Sequence, residues 1–366
     1  EQVLYAGNRN NRAVDAAKEA VLATRAGLIA VEQQVLYRAV GAFMEMRRAY
    51  ENVALRQNNV RVIRQEVRAA RDRFDVGEVT RTDVALAEAR LSAAQSALAA
   101  AQGNLVAAQE EYAAVVGHKP GNLVSPRALP QLPANVDDAK ARAVRQHPAM
   151  HQAQHQVAAA EIAVLIAEGA KMPTVTLNGS LSYSGDIGAR DFSRGGSIGL
   201  NAGGPIYSGG ALASAVRKAK AQRDAARGGL HVVQADVIQN VGNAYVQLRV
   251  ARASRASFES QVRAATVAFR GVREEAKLGA RTTLDVLDAE QELLDARASL
   301  ISSQVDEAIA AYAVLASMGV LTAEALQLDV PNFDPEAYYN MVKSAPAGVS
   351  RQGRELDRVL KALGKD

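Results

Sequence analysis

The chain has 366 residues, of which 48% are hydrophobic, yet only 4% are aromatic and there is no Trp. Much of the apolar share is Ala, which suits slender helices packed closely along their length better than a thick globular core. Cys is lacking, which excludes disulfides, thiolate metal sites and Cys nucleophiles, and the net charge of +4 is spread as interleaved Lys, Arg, Asp and Glu rather than gathered into the basic stripe of a nucleic-acid binder.

No run approaches the roughly 18 consecutive apolar residues of a spanning helix, so contact with a bilayer would have to be made by a β-barrel. From about Asn8 to Asp75 no proline interrupts a helical pattern, and Leu28, Val31, Val35, Ala39, Ala42 and Met46 recur at steps of three and four. At 1.5 Å per residue this predicts a helix on the order of 100 Å long. Only Val76-Gly77-Glu78-Val79-Thr80 separates it from a second helix, predicted from about Thr82 to Val116. That interval forces an antiparallel hairpin, with Gly77 as the turn or cap residue. The segment from His118 to His147 carries Pro120, Pro126, Pro130 and Pro133 and cannot be one helix. A further helix is predicted from Pro148, which suits a first turn, to about Ala170, before Pro173.

The next segment changes period. Val175, Leu177, Leu181 and Tyr183 alternate with Thr174, Thr176, Asn178, Ser180, Ser182 and Ser184, and after a loop predicted at Gly185 to Gly196, Ile198, Leu200 and Ala202 alternate with Ser197, Gly199, Asn201 and Gly203. Two strands in a hairpin are indicated, each close to the roughly 9–11 residues of a tilted membrane-crossing strand, with one apolar and one small polar face. A lone hairpin cannot cross a bilayer, because its edges would leave backbone groups unpaired in hydrocarbon, so other strands must close a barrel with it.

The second long helix repeats the first. FDVGEVTRTDVALAEARL from Phe74 is answered without gaps by AKLGARTTLDVLDAEQEL from Ala276: Gly77 falls on Gly279, Thr80 on Thr282, Asp83 on Asp285, Glu88 on Glu290, an offset of 202 residues. The same shift places Tyr5 on Tyr207, Gly7 on Gly209, Ala42 on Ala244 and Gly117 on Gly319, and the stripe Leu230, Val233, Val237, Val241, Ala244 and Leu248 answers that of the first copy. Leu278-Gly279-Ala280-Arg281-Thr282 is the second turn. Glu1 to Tyr5 lines up with Gly203 to Tyr207, the end of a strand pair, which predicts a preceding stretch with a signal peptide, a helix and a further strand pair.

Long helical hairpins, the duplication, a strand hairpin before a long helix and the turn LGARTTLDVLDAE at Leu278 to Glu290 together resemble the TolC-type outer membrane factor family, over Glu1 to about Gly319. The tail, especially Asn332-Phe333-Asp334-Pro335-Glu336-Ala337-Tyr338-Tyr339, is similar to the type I secretion branch. The resemblance implies a mainly α protein with a β-barrel contribution: a coiled-coil tunnel of antiparallel hairpins in the periplasm and a transmembrane β-hairpin in a trimer whose strands close one twelve-stranded barrel in the outer membrane. The expected divisions are 1–117 as a first repeat lacking its own N-terminal part, 118–147 as connector, 148–319 as second repeat with the hairpin at 173–207, and 320–366 as a partly disordered tail. The expected partners are a periplasmic adaptor, an inner-membrane transporter and outer membrane lipid, with no nucleic acid and no cofactor. The docking tips would be the two turns, 76–80 and 278–282, with Val76, Gly77, Thr80, Leu278, Gly279 and Thr282. Asp285 and Asp288 match aspartates that ring the entrance of the family's tunnel. Arg281, with Thr82 and Asp83, matches positions that latch it, although Ala276 stands where the family's latch has an aromatic residue.

Asp285 also suits simple helix capping, as Asp288, a turn deeper, does not. His147, His151 and His155 share a helical face but lack the acidic partner of a metal motif. No motif sets out catalytic residues. The alternative to a passive exit duct is a soluble periplasmic coiled-coil adaptor, which should carry an independently folded β domain rather than strands that need partners.

Overall fold

The computed structural model describes residues 1–121, 123–124, 128–185, 192–330, 337, 340, 354–355 and 358, in two compact units, Glu1–Leu321 and Thr322–Asp366. In the first unit the order is β1 (Gln2–Ala6), α1 (Arg9–Asp75), α2 (Arg81–Val116), α3 (Val136–Gln146), α4 (Pro148–Gly169), β2 (Thr174–Gly185), β3 (Phe192–Gly203), α5 (Ala211–Lys277) and α6 (Thr283–Ser317). α1 and α5 are each 67 residues long, whereas the arms that return along them, α2 and α6, have 36 and 35. The length of α1 and α5 left uncovered is taken up by α4, which packs against both.

The duplication is written into the backbone. Seven glycines and one asparagine at unit one's left-handed positions fall into four pairs 202 residues apart: Gly7 and Gly209, Asn8 and Gly210, Gly77 and Gly279, Gly117 and Gly319, with φ between +55° and +88°. The first two pairs turn a strand end into a long helix, the third turns each hairpin and the fourth closes each return arm. Each needs a left-handed residue, which glycine adopts without the Cβ clash.

One feature adds to the expectation and one differs from it. The proline-bearing segment contains α3, an amphipathic helix that begins at Val136, shortly after Pro133: Asn135 caps it by accepting from the Asp137 N–H at 3.0 Å, and Asp137 and Asp138 occupy its first turn. Pro126 lies outside the described residues. β3 starts at Phe192, so the strand pair reaches further than the loop expected at Gly185 to Gly196, of which 186–191 lie outside the described residues. Ser193 and Gly195 are opposite Ser184 and Ser182, so extension costs no buried polar group.

α3 adds to the core around α5. Ala139 and Ala143 of α3 and Met150 of α4 bury Val237, Val241, Ala244 and Leu248 of α5 together with Val314 and Met318. Among the described residues no helix covers α1 as α3 covers α5, and the matching stripe of α1 divides: Ala42 and Met46 are buried, but Leu28, Val31 and Val35 are exposed, Val35 to 53% where its counterpart Val237 is 3% exposed. The stripe continues as Val14, Val21, Leu28 and Val35, one residue in seven, all exposed in the single chain.

β1, β2 and β3 form one antiparallel sheet in that order, β1 with an irregularity between Val3 and Tyr5. In the second unit Thr322 starts a turn, accepting from the Ala325 N–H through its Oγ1 at 3.2 Å. Of the secretion-like tail motif, all but Ala337 lies outside the described residues, as does most of the segment expected to be partly disordered.

Candidate functional site

Both turns are built from the same local rules. α1 ends in a paired closure in which the Glu78 N–H reaches Arg73 O and the Gly77 N–H reaches Phe74 O, both at 2.9 Å; α5 repeats it with Ala280 N–H to Glu275 O at 2.9 Å and Gly279 N–H to Ala276 O at 3.2 Å. α2 and α6 then start with reciprocal caps. Thr80 Oγ1 accepts from the Asp83 N–H at 3.3 Å while Asp83 Oδ2 accepts from the Thr80 N–H at 2.9 Å; Thr282 and Asp285 do the same at 3.2 and 2.9 Å. These backbone and side-chain donors at Thr80 and Thr282 hold the carboxyls of Asp83 and Asp285 below the usual range.

The two tips lie side by side around an open cleft of about 690 Å³. Thr80, Asp83, Leu278, Gly279, Arg281, Thr282 and Asp285 line it, so seven of the site residues read from the sequence are brought together. Val76 and Leu278 project from the turns, 71% and 86% exposed. Arg281 donates through Nε to Glu275 at 2.9 Å, and that partner raises its pKa. Thr82 is exposed in the first turn of α2. The polar contacts of Arg281, Asp83 and Asp285 thus stay within their own turns. Asp288 stands apart from the cleft, in an ion pair with Arg90 of α2 at 2.8 Å.

The structure adds cross-links between the hairpins that periodicity did not reveal. Arg48 pairs with Asp306, Glu66 with Arg273 at 3.4 Å, and buried Asn59 donates to buried Glu290 at 3.3 Å. The 202-residue offset held a signal: in the first copy Arg71 pairs with Glu88, but their counterparts Arg273 and Glu290 part company and turn to α1. Burial pushes the Glu290 carboxyl up, against opposing pulls from Asn59, Arg297 and Arg273. Packing therefore favours the protonated acid. That stabilisation is whole below the ordinary carboxylate range and is lost as pH rises through the raised value. Glu290→Gln, which keeps the bond to Asn59, should raise the thermal midpoint at pH 8 by roughly 2–4 °C and leave it nearly unchanged at pH 4; calorimetry at both values checks this, and an equal shift at both pH values would contradict it.

The strand pair is sorted by face. Val175, Leu177, Leu181 and Tyr183 stand opposite Ala202, Leu200, Gly196 and Arg194 on one side, where Leu181 is 92% and Ile198 85% exposed. The other side carries only Thr, Asn, Ser and Gly, with Ser180 and Ser197 hydroxyls 2.8 Å apart. At the end remote from the helices the Arg194 guanidinium lies 5.6 Å from the Tyr183 ring centre.

The histidine stripe serves helix α4 and its packing. His147 Nδ1 accepts from the Ala149 N–H at 3.1 Å, and burial lowers its pKa; His155 Nδ1 lies 2.8 Å from Glu19. Among the described residues no cluster of three or more metal-binding side chains occurs, and no helix is long and apolar enough to cross a membrane.

The family model described as "Outer membrane efflux protein" matches residues 1–118 and 141–320. The outer membrane efflux protein BepC of Brucella suis biovar 1 is 40% identical over 344 residues, 93% of this chain and 75% of that protein. The outer membrane protein TolC of Vibrio cholerae is 21% identical over 81% of this chain and 70% of its own length. Among solved structures, the outer-membrane channel OprN superposes with a TM-score of 0.73 at 24% identity, over 85% of this chain and 72% of that one.

Proposed function

The chain belongs to the outer membrane efflux protein family, and on that premise we propose that three copies form one duct, open to the exterior through a shared barrel and reaching an inner-membrane transporter through the helical tips. It is an outer membrane channel protein that extends into the periplasm. The observation that carries the reading is the strand pair, with an exposed apolar face suited to lipid and an opposite face of Ser, Thr, Asn and Gly suited to water. Three strands cannot enclose a pore, and the sheet keeps two edges, so closure calls for further copies. The exposed stripe Val14, Val21, Leu28 and Val35 supports the same conclusion, since one apolar residue in seven is the spacing that a neighbouring helix covers.

The tips, with Val76 and Leu278 outermost around the cleft, are the docking surface for a periplasmic adaptor. Asp285 and Asp288 form the entrance ring, six carboxylates in a trimer, and Arg281, Thr82 and Asp83 belong to the latch. The functional divisions are 1–117, 118–147, 148–319 and 320–366. The duct conducts passively: it takes its energy from the transporter and performs no chemistry of its own.

The test is conductance of the purified protein in a planar bilayer. Discrete cation-preferring steps are expected, and Asp285→Ala with Asp288→Ala should lower the cation preference by roughly threefold or more. Unchanged selectivity in the double variant removes the ring from these residues; a protein that never enters the bilayer restores the soluble adaptor as the better reading.

A further inference from the structure

We propose that Arg90 is a specificity-determining residue of the duct, masking the charge of Asp288 while α2 and α6 stay together and releasing it when they part. The inference rests on the reading of Asp288 as an entrance residue.

The pair joins the two return arms, which belong to different hairpins. It is not a device of the repeat. The caps at Thr80–Asp83 and Thr282–Asp285 recur 202 residues apart, but the counterpart of Arg90 is Glu292 and that of Asp288 is Leu86. One copy thus supplies a carboxylate that the other lacks, and the other supplies a cation where the first has an acid. Both side chains are about half exposed, 44% and 57%, and ion pairs so placed add little to stability. Their electrostatic effect is larger than their adhesive one. With the two opposite charges 2.8 Å apart, their fields largely cancel for an ion passing at several times that distance, where a lone carboxylate would still act on it.

Asp285 is held differently, its carboxylate accepting from the Thr282 N–H and hydroxyl, which fix its position and leave its charge in place. In this arrangement the charge of Asp288 is balanced by Arg90 while that of Asp285 remains, so the entrance displays less negative charge than its two aspartates suggest. The contact between α2 and α6 is thin: Leu287 is the α6 residue buried in the α1–α2 core cluster. Separation of the arms breaks the Arg90 pair early and adds one uncompensated carboxylate per subunit, so cation preference rises as the entrance widens.

The experiment measures reversal potentials of the purified full-length protein under a salt gradient for wild type, Arg90→Ala, Arg90→Lys, Asp288→Ala and the Arg90→Ala/Asp288→Ala pair. Arg90→Ala is expected to raise the cation-to-anion permeability ratio roughly two- to threefold, Arg90→Lys to restore the wild-type value, and the double variant to match Asp288→Ala alone. If Asp288→Ala alters selectivity but Arg90→Ala does not, the masking role fails while the entrance reading stands. If the effect of Arg90→Ala persists in the Asp288→Ala background, Arg90 acts through its own charge or through packing and the proposal is overturned. If neither single variant changes selectivity, the entrance reading itself falls, and the proposal with it.

Discussion

Leu181→Arg is expected to abolish delivery of the assembled protein to the outer membrane, whereas Ser180→Arg, one residue earlier, should leave assembly intact and alter only ion selectivity. The two positions are consecutive in β2 and therefore face opposite sides of the sheet. Leu181 sits near the middle of the strand on the apolar face, opposite Gly196, with nothing above it. Arginine at the midplane of a barrel's lipid face costs about 2–4 kcal/mol, and a trimer incurs that cost three times, which is comparable with the whole stability of many proteins. Ser180 lies among hydroxyls on the other face, paired with Ser197; an arginine there meets water and repels cations. Membrane fractionation with trimer content by native electrophoresis, followed by reversal potentials, reads both results. Normal insertion of Leu181→Arg together with failure of Ser180→Arg would invert the faces; tolerance of both would place the sheet outside the bilayer.

Gly7→Ala is the second change with a large expected effect, and the duplication supplies its control. Gly7 and Gly209 occupy equivalent positions with φ of +63° and +55°, so alanine at either meets the same backbone strain, about 1–2 kcal/mol. Their surroundings differ. A Cβ on Gly7 would lie 2.3 Å from the carbonyl oxygen of Gly169 and 2.8 Å from Met172 Cβ, while one on Gly209 meets nothing within 4 Å. The obstacle at Gly7 is backbone at the end of α4, which cannot move aside without shifting that helix off α1, and overpacking of this kind adds about 1–3 kcal/mol. Thermal unfolding in detergent should therefore show Gly7→Ala melting well below Gly209→Ala, with Gly169→Ala resembling the former. Equal shifts at the two glycines would show that conformation alone, not the close approach, sets the cost.

What could be read from the sequence was what local chemistry dictates. Gly77 and Gly279, Thr80 and Asp83, Thr282 and Asp285 act within a few residues of themselves, so their turns and caps were legible before any packing was known. The strand alternation was legible because its period is two over twelve residues, and the duplication because it has no gaps. α3 escaped notice because its eleven residues follow a run of prolines and bury only Ala139 and Ala143, too short a stripe to stand out. The pairs Arg90–Asp288, Asn59–Glu290 and Glu66–Arg273 depend on the register between hairpins, which no single helix encodes. Asp285 admitted capping or a pore role in the sequence, and the structure shows the capping hydrogen bonds in full. The exposed half of the α1 stripe shows the opposite limit: its period was plain, but which apolar residues are covered depends on packing by other elements, which α3 supplies to α5 and no described helix supplies to that half of α1.

The equal arms of α1 and α5 constrain how such a chain can change its length over evolution. Both have 67 residues between fixed left-handed joints. One inserted residue turns everything beyond it by about 100°, carrying buried alanines outward and arginines inward. Only an addition of about seven residues, two turns or roughly 10 Å, restores the facing. It must be matched in the return arm of the same hairpin and then in the other hairpin, or the two tips no longer end at one level. Insertions and deletions are thus tolerated at the ends of the arms and in the proline-bearing segment, while the arms lengthen, if at all, in concerted steps. A duct of this design can exchange its exposed residues far more readily than it can change its reach.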